Sequence, residues 1–330
     1  METDPGLAQA REAAEAMLGA PAEVAPVRGG RNSRIFHVRA SSGEYALKHY
    51  PVTGDPRDRL GTEAGALRLM QGLACVPRLH GVDRARGTLL LEWIDGVPVD
   101  HVADADIDAG VGFLAAVHAL RRDADAAVQP LASEACLSGA EIARQIETRR
   151  ARLRQSGDAA LIDFIAGDFT PAFAASLAQA RAAPSLDFAA DIPHQWRSLV
   201  PSDFGYHNAL RRPDGSLAFV DFEYFGWDDP VKLTADILLH PGRPLGTPQR
   251  RRFRDAAQRL YDDPQFVPRL AAYLPLFGLR WVLILLNEFV PEIWARRVQA
   301  GATQSWEEAK ARQLGAAREF LSRLPETVRA

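Results

Sequence analysis

The chain has 330 residues and a mass of 36.1 kDa, a length that suits two domains at about 150 residues each. With 47% hydrophobic and 25% charged residues it has an ordinary globular balance, and a chain this long buries about three quarters of its unfolded surface without disulfide or metal staples. The 39 basic and 42 acidic side chains leave a net charge of -3, which excludes a basic nucleic-acid-binding surface as its main business.

In chain order, Met1 to Pro5 is acidic and has no apolar run, so no secretory signal is expected there. Residues 6–19 carry an alanine-rich helical pattern ending at Gly19-Ala20-Pro21. Val24–Val27 is a short strand, and Gly29-Gly30-Arg31-Asn32-Ser33 a loop. Ile35–Ala40 and Tyr45–Tyr50 read as strands joined by the hairpin chemistry of Ser41-Ser42-Gly43-Glu44. A helix follows over Asp58–Gly72. Two more strands, Val76–Val82 and Thr88–Ile94, turn at Arg84-Ala85-Arg86-Gly87.

After Asp95-Gly96 the pattern becomes helical: Ile107–Leu120, Ala140–Gln155, Ala159–Ala166 and Pro171–Ala183, with one β interruption at Ala209–Val220 and helices again from Pro230. The apolar stretch Leu274–Val290 is broken by Pro275, Arg280 and Glu288, so it is expected to be a buried helix and no membrane span. The reading is an α+β chain: residues 1–95 form a small antiparallel-sheet lobe with one inserted helix, and residues 96–330 form a larger, mostly helical lobe.

Several chemistries drop out. There is no Walker A loop, no dinucleotide-binding glycine fingerprint, no nucleophile elbow and no H-E-x-x-H. The eight histidines are scattered, and the two cysteines, Cys75 and Cys136, make neither a disulfide framework nor a C-x-x-C, so a reducing cytoplasm is the expected setting.

The informative stretch is Pro201-Ser202-Asp203-Phe204-Gly205-Tyr206-His207-Asn208, followed by Asp221-Phe222-Glu223. Asp214-Gly215 between them signals a hairpin, and a two-residue loop there would set Asn208 directly opposite Asp221. Side chains so opposed have Cβ atoms about 5 Å apart, and an amide oxygen plus a carboxylate at that spacing suit one magnesium ion. A longer turn at Pro213 would slip the register by one and make the pair diagonal.

Asp203, on the loop entering the hairpin, can orient a hydroxyl and accept its proton. Phosphoryl transfer also needs cations and backbone donors on the phosphates. The first lobe offers Lys48 on a strand and the loop containing Gly30, Asn32 and Ser33, while Glu63 on the inserted helix could pair with Lys48. Each element alone has an ordinary reading: an exposed strand lysine, a Gly-Gly turn, a polar surface hairpin, a helix glutamate. Their joint occurrence in this order is what carries the chemistry.

These residues resemble the aminoglycoside phosphotransferase and choline kinase superfamily, which has a protein-kinase-like bilobal fold, over about residues 24–290. The family's H-G-D-x-x-x-x-N loop stands here as Pro201 to Asn208, its D-[FWY]-[EG] segment as Asp221-Phe222-Glu223, and its L-A-x-L-H helix as Phe113 to His118. Asp229-Pro230 and Asp236 match its downstream acidic region. The resemblance implies ATP and magnesium as cofactors. It implies Lys48 on the α/β-phosphates with Glu63 as its anchor, backbone groups of the Glu92-Trp93-Ile94 segment meeting adenine, Asp203 as base, and Asn208 and Asp221 as magnesium ligands. The family's His and Gly before the aspartate are Pro201 and Ser202 here, so the loop must be braced differently.

The expected partner is a small-molecule hydroxyl acceptor, a sugar or an amino alcohol, met by Glu223, Trp227, Trp281 and Glu288. Neither a nucleic acid nor a membrane is expected as partner, and the chain should be a monomer or homodimer. Two alternatives stand beside this reading: a nucleotide-binding regulatory protein with weak or no transfer, suggested by Pro201-Ser202, and an aminoglycoside antibiotic as the acceptor.

Overall fold

The computed structural model describes residues 5–27, 33–50, 57–242, 244–299 and 303–329. The first part is an antiparallel five-stranded sheet of order β1-β2-β3-β5-β4. Its strands are β1 (Ala22–Val27), β2 (Arg34–Ala40), β3 (Gly43–His49), β4 (Leu79–Asp83) and β5 (Thr88–Glu92). Helix α1 (Pro5–Leu18) lays Ala10, Ala13 and Ala14 against Val24, Phe36, Val38, Leu47 and Leu90. Small alanines let the helix approach the sheet closely, and the period of two along β3 sends Lys48 to the face opposite Leu47. Helix α2 (Arg59–Leu69) starts where the Asp58 side chain accepts from the Gly61 N–H, a standard N-cap, and packs against β4 and β5.

The chain then runs through β6 (Val97–Pro98) into helix α3 (Asp104–Ala119), whose buried Ile107, Gly110, Phe113, Leu114 and Val117 follow helical spacing. Helices α4 (Gly139–Arg154), α5 (Ala159–Phe164) and α6 (Thr170–Arg181) follow. A π-helical turn at Ile165–Phe169 joins α5 to α6, where the sequence reads a break. The turn accommodates Pro171, which lacks an N–H, and the Thr170 hydroxyl donates to the Ile165 carbonyl. Strands β7 (Ser198–Val200), β8 (Ala209–Arg211), β9 (Leu217–Phe219) and β10 (Gly226–Asp228) come next, with β6, β8 and β9 forming a three-stranded antiparallel sheet. Helices α7 (Pro230–Leu239), α8 (Thr247–Leu260), α9 (Phe266–Leu285), α10 (Pro291–Gln299) and α11 (Trp306–Arg329) complete the chain.

The contacts divide the chain into two compact units. One holds residues 1–133 and 199–227, the other residues 134–198 and 228–330. The first unit extends past residue 95: besides the five-stranded sheet it keeps α3 and the β8–β9 hairpin. In the second unit α9 is the central helix, packed by α4, α6, α7 and α11. Among the described residues two helical stretches, Ala159–Arg181 and Phe266–Leu285, are long and apolar enough to cross a membrane by length and composition. Most of Phe266–Leu285 is buried within the protein, as expected for a core helix.

Candidate active site

Lys48 is 4% exposed, and its Nζ donates to Glu63 Oε2 and to Asp221 Oδ1, both at 2.7 Å. Strand β3, helix α2 and the segment after β9 thus meet at one ammonium group, joining residues 173 apart in sequence. Burial alone would push the ammonium down. The Glu63 and Asp221 carboxylates outweigh it and hold Lys48 above the ordinary lysine range. Glu63 is buried, and its other oxygen accepts the Phe222 N–H at 3.2 Å. The Asp221 side chain stays 39% exposed, so its carboxylate is open to solvent as well as to Lys48.

The hairpin register differs by one from the directly opposed pairing. Ala209 pairs with Phe219 and Arg211 with Leu217, and the Val220 N–H donates to the Asn208 carbonyl. Asn208 therefore faces Val220, and Asp221 is one residue further on, where φ 71° takes it out of strand geometry. The reason lies in the turn. Pro213 and Asp214 occupy its centre, the Gly215 N–H closes onto Arg212 O, and Gly215 at φ 86° allows Arg212 N–H to reach Ser216 O. The result is a three-residue loop with glycine in the left-handed position.

Asp203 has a 43% exposed side chain, and His207 Nε2 lies 3.4 Å from its Oδ1. The loop carrying it is braced without a histidine at position 201. Asn208 Nδ2 donates to the Asp203 carbonyl at 2.9 Å, Tyr206 O–H donates to the Asp106 carbonyl at 3.1 Å, and Phe204 packs on Phe113 and Phe219. Tyr206 can come this near because position 110 is glycine: a Cβ there would sit 2.7 Å from its hydroxyl. Arg211 forks onto both oxygens of Asp106 at 2.9 Å, tying β8 to α3. Ser202, where the related loops have glycine, sits at φ 66°, and Asp221 at φ 71°. Each left-handed non-glycine residue costs on the order of 1 kcal/mol, and such strain clusters at functional sites.

The other sequence-predicted residues fall as follows. Gly30 and Asn32 lie outside the described residues, while Ser33 immediately precedes β2. Glu92 ends β5, its N–H donating to Arg78 O and its side chain accepting from Arg78 N–H, and Ile94 is buried beyond it. Glu223 is buried and paired with Arg59 at 2.8 Å. Trp227 is buried, and its indole N–H donates to the Ala126 carbonyl. In the second unit, Trp281 donates to Asp236 Oδ1 at 2.9 Å, and Glu288 lies near Arg297 and Arg312 at 3.5 and 3.7 Å. These acids already have cationic neighbours, and both indoles already have acceptors.

Two participants were missed. Tyr50 donates its O–H to Glu63 Oε2 and holds its ring 5.2 Å from Lys48 Nζ. Arg59 holds Glu223 and donates to the Tyr224 hydroxyl. Both carried a local signal: Tyr50 is two residues from Lys48 along an extended chain, and Arg59 is one helical turn from Glu63.

The first unit thus holds a buried lysine shared by a helix glutamate and a half-exposed aspartate, and a second aspartate on a braced loop before a hairpin. The sequence model of the phosphotransferase enzyme family matches residues 23–270, and the chain belongs to that family. Solved structures share the fold. A choline/ethanolamine kinase family protein from Mesorhizobium loti is 18% identical, covering 98% of each chain, at a TM-score of 0.58. A choline kinase from Streptococcus pneumoniae is 14% identical, covering 94% of this chain and 97% of that one, at 0.58. A thermostable mutant aminoglycoside phosphotransferase, in ternary complex with ADP and hygromycin B, is 16% identical, covering 94% and 97%, at 0.60. No curated protein matches the chain.

Proposed function

We propose that this enzyme moves the γ-phosphoryl group of ATP to a hydroxyl of a small molecule, a sugar or an amino alcohol, with magnesium as cofactor. The observation that carries the reading is the double contact of Lys48 with Glu63 and Asp221. The donor set fits a hard cation: Asn208 spends its amide N–H on Asp203 O, which leaves the amide oxygen available, and Asp221 keeps an exposed carboxylate. Asn208 and Asp221 would hold the metal, which when bound offsets the charge of the phosphates.

Lys48 supplies the fixed positive charge for the phosphates, and Glu63 keeps its ammonium in place. Asp203 accepts the hydroxyl proton, and the Asn208, Tyr206 and Phe204 contacts hold its loop in position. Ser33, Gly30 and Asn32 serve the phosphates, and Glu92-Trp93-Ile94 the base. Of the two aromatic acceptor candidates, Trp281 is half-buried and Trp227 buried. The enzyme works in a reducing cytoplasm, consistent with the free cysteines Cys75 and Cys136, as a monomer or homodimer.

The test is coupled ADP release over a panel of sugars, amino alcohols and aminoglycosides. Asp203→Asn should lower acceptor-dependent turnover by about 10²- to 10⁴-fold while nucleotide binding persists. Unchanged turnover refutes the assignment. The regulatory reading draws on Pro201, which leaves the loop without the related enzymes' histidine. It predicts a magnesium-dependent thermal shift with ATP and no ADP release with any acceptor. Stimulation by aminoglycosides alone would identify the acceptor as an antibiotic.

A further inference from the structure

Glu63 receives three donors: Lys48 Nζ and Tyr50 O–H on Oε2, and the Phe222 N–H on Oε1. The first comes from β3, the second from the residue just beyond it, and the third from the segment that carries Asp221. Tyr50 is 7% exposed, and its own backbone N–H is anchored to Gly87 O at 2.8 Å, so the ring has little freedom to leave. Its hydroxyl is a neutral donor on a buried carboxylate that otherwise depends on the lysine at that oxygen.

Lys48 faces two carboxylates at once, at equal distance. When its ammonium turns toward an anionic ligand, Glu63 Oε2 loses part of that partner, and a buried carboxylate oxygen without a donor is costly. Tyr50 keeps the oxygen satisfied and the carboxylate in one rotamer whichever way the lysine leans. We infer that Tyr50 is a positioning residue of the nucleotide site, acting through Glu63 to hold the Lys48 ammonium where it meets phosphate. The inference rests on Lys48 being a phosphate contact.

The measurement is the affinity of a fluorescent N-methylanthraniloyl ATP, with magnesium, together with the thermal midpoint. Tyr50→Phe keeps the ring and removes the hydroxyl. It should weaken nucleotide affinity by about tenfold, the size of one hydrogen bond to a charged group. In a Glu63→Gln background the same change should cost less than about twofold, because the residue it acts through is already altered. Unaltered affinity in Tyr50→Phe overturns the inference, even if the thermal midpoint drops, since that outcome marks a packing role alone. An equal loss in both backgrounds also overturns it. Lys48→Met separates the two layers: if it leaves nucleotide affinity intact, the phosphate role of Lys48 itself fails, whereas loss in Lys48→Met with a silent Tyr50→Phe removes only the role of Tyr50.

Discussion

Both compact units bury charged side chains, and they use them in opposite ways. In the second unit Arg269 lies between Asp229 and Asp263 with three contacts of 2.6 to 3.0 Å, and Lys232 lies between Asp228 and Asp236. All six are buried, and several of these carboxylates also cap backbone N–H groups: Asp229 accepts from Val231, Asp263 from Gln265, and Asp228 from Cys136. These acids are sealed from solvent and fix chain geometry. In the first unit Lys48 is as deeply buried, yet one of its acids, Asp221, is 39% exposed and Asp203 is more so. A sealed network holds helices, whereas an open-ended one can exchange partners with a ligand. Ion-pair geometry alone does not separate the two. The solvent exposure of the carboxylates does.

The comparison can be broken from either side. Arg269→Met should remove about 3–5 kcal/mol of stability, because two buried aspartates then lack their cation. Chemical denaturation measures the loss, and the nucleotide affinity of the folded protein should stay as it was. A large affinity change would mean that the second unit's charges are not purely architectural.

Gly110→Ala probes the bracing of the loop that carries Asp203. A methyl there meets the Tyr206 hydroxyl at 2.7 Å, and overpacking of about 1–3 kcal/mol outweighs the helix-propensity gain of about 1 kcal/mol. Turnover should fall, and Tyr206→Phe in the same chain should restore part of it by removing the clashing oxygen.

The smallest effect concerns His118 near the end of α3, which burial first, and then Arg121 and Arg122, push down to about 4 from 6.5. Between these values the unfolded chain binds the extra proton, so stability is intact above about pH 6.5 and falls toward pH 4. The loss should be on the order of 1 kcal/mol after allowance for solvent at this half-buried site. His118→Gln should flatten the pH dependence of the unfolding midpoint across that window.

The sequence made the first unit's elements legible because its alternation of two and its alanine period are local properties: the helix at α1, the strands of the sheet and the helix at α2 all fall within a few residues of the reading. Strands β6, β7 and β10 left no signal, since two or three residues cannot show alternation. The register slip at Asn208 came from Pro213 and Gly215 making a three-residue turn out of an apparent two-residue one. The Lys48–Glu63 pair was readable as an expectation from strand and helix placement. The bracing of Asp203 was not, because Tyr206 and Arg211 meet α3 across about a hundred residues, and such pairings have no local period. The acceptor candidates Glu223 and Trp227 were chosen for chemical type, and it took tertiary contacts to reveal that Arg59 and the Ala126 carbonyl already occupy them.

The central claim is that Lys48 and Asp221 form one nucleotide–metal site. Calorimetric titration with ATP, with and without magnesium, tests it on the wild-type chain and on Asp221→Asn. The wild type should bind ATP more tightly when magnesium is present, and Asp221→Asn should lose that magnesium-dependent gain while still binding the free nucleotide through Lys48. Equal magnesium dependence in both proteins, or no ATP binding by the folded wild type, would contradict the account.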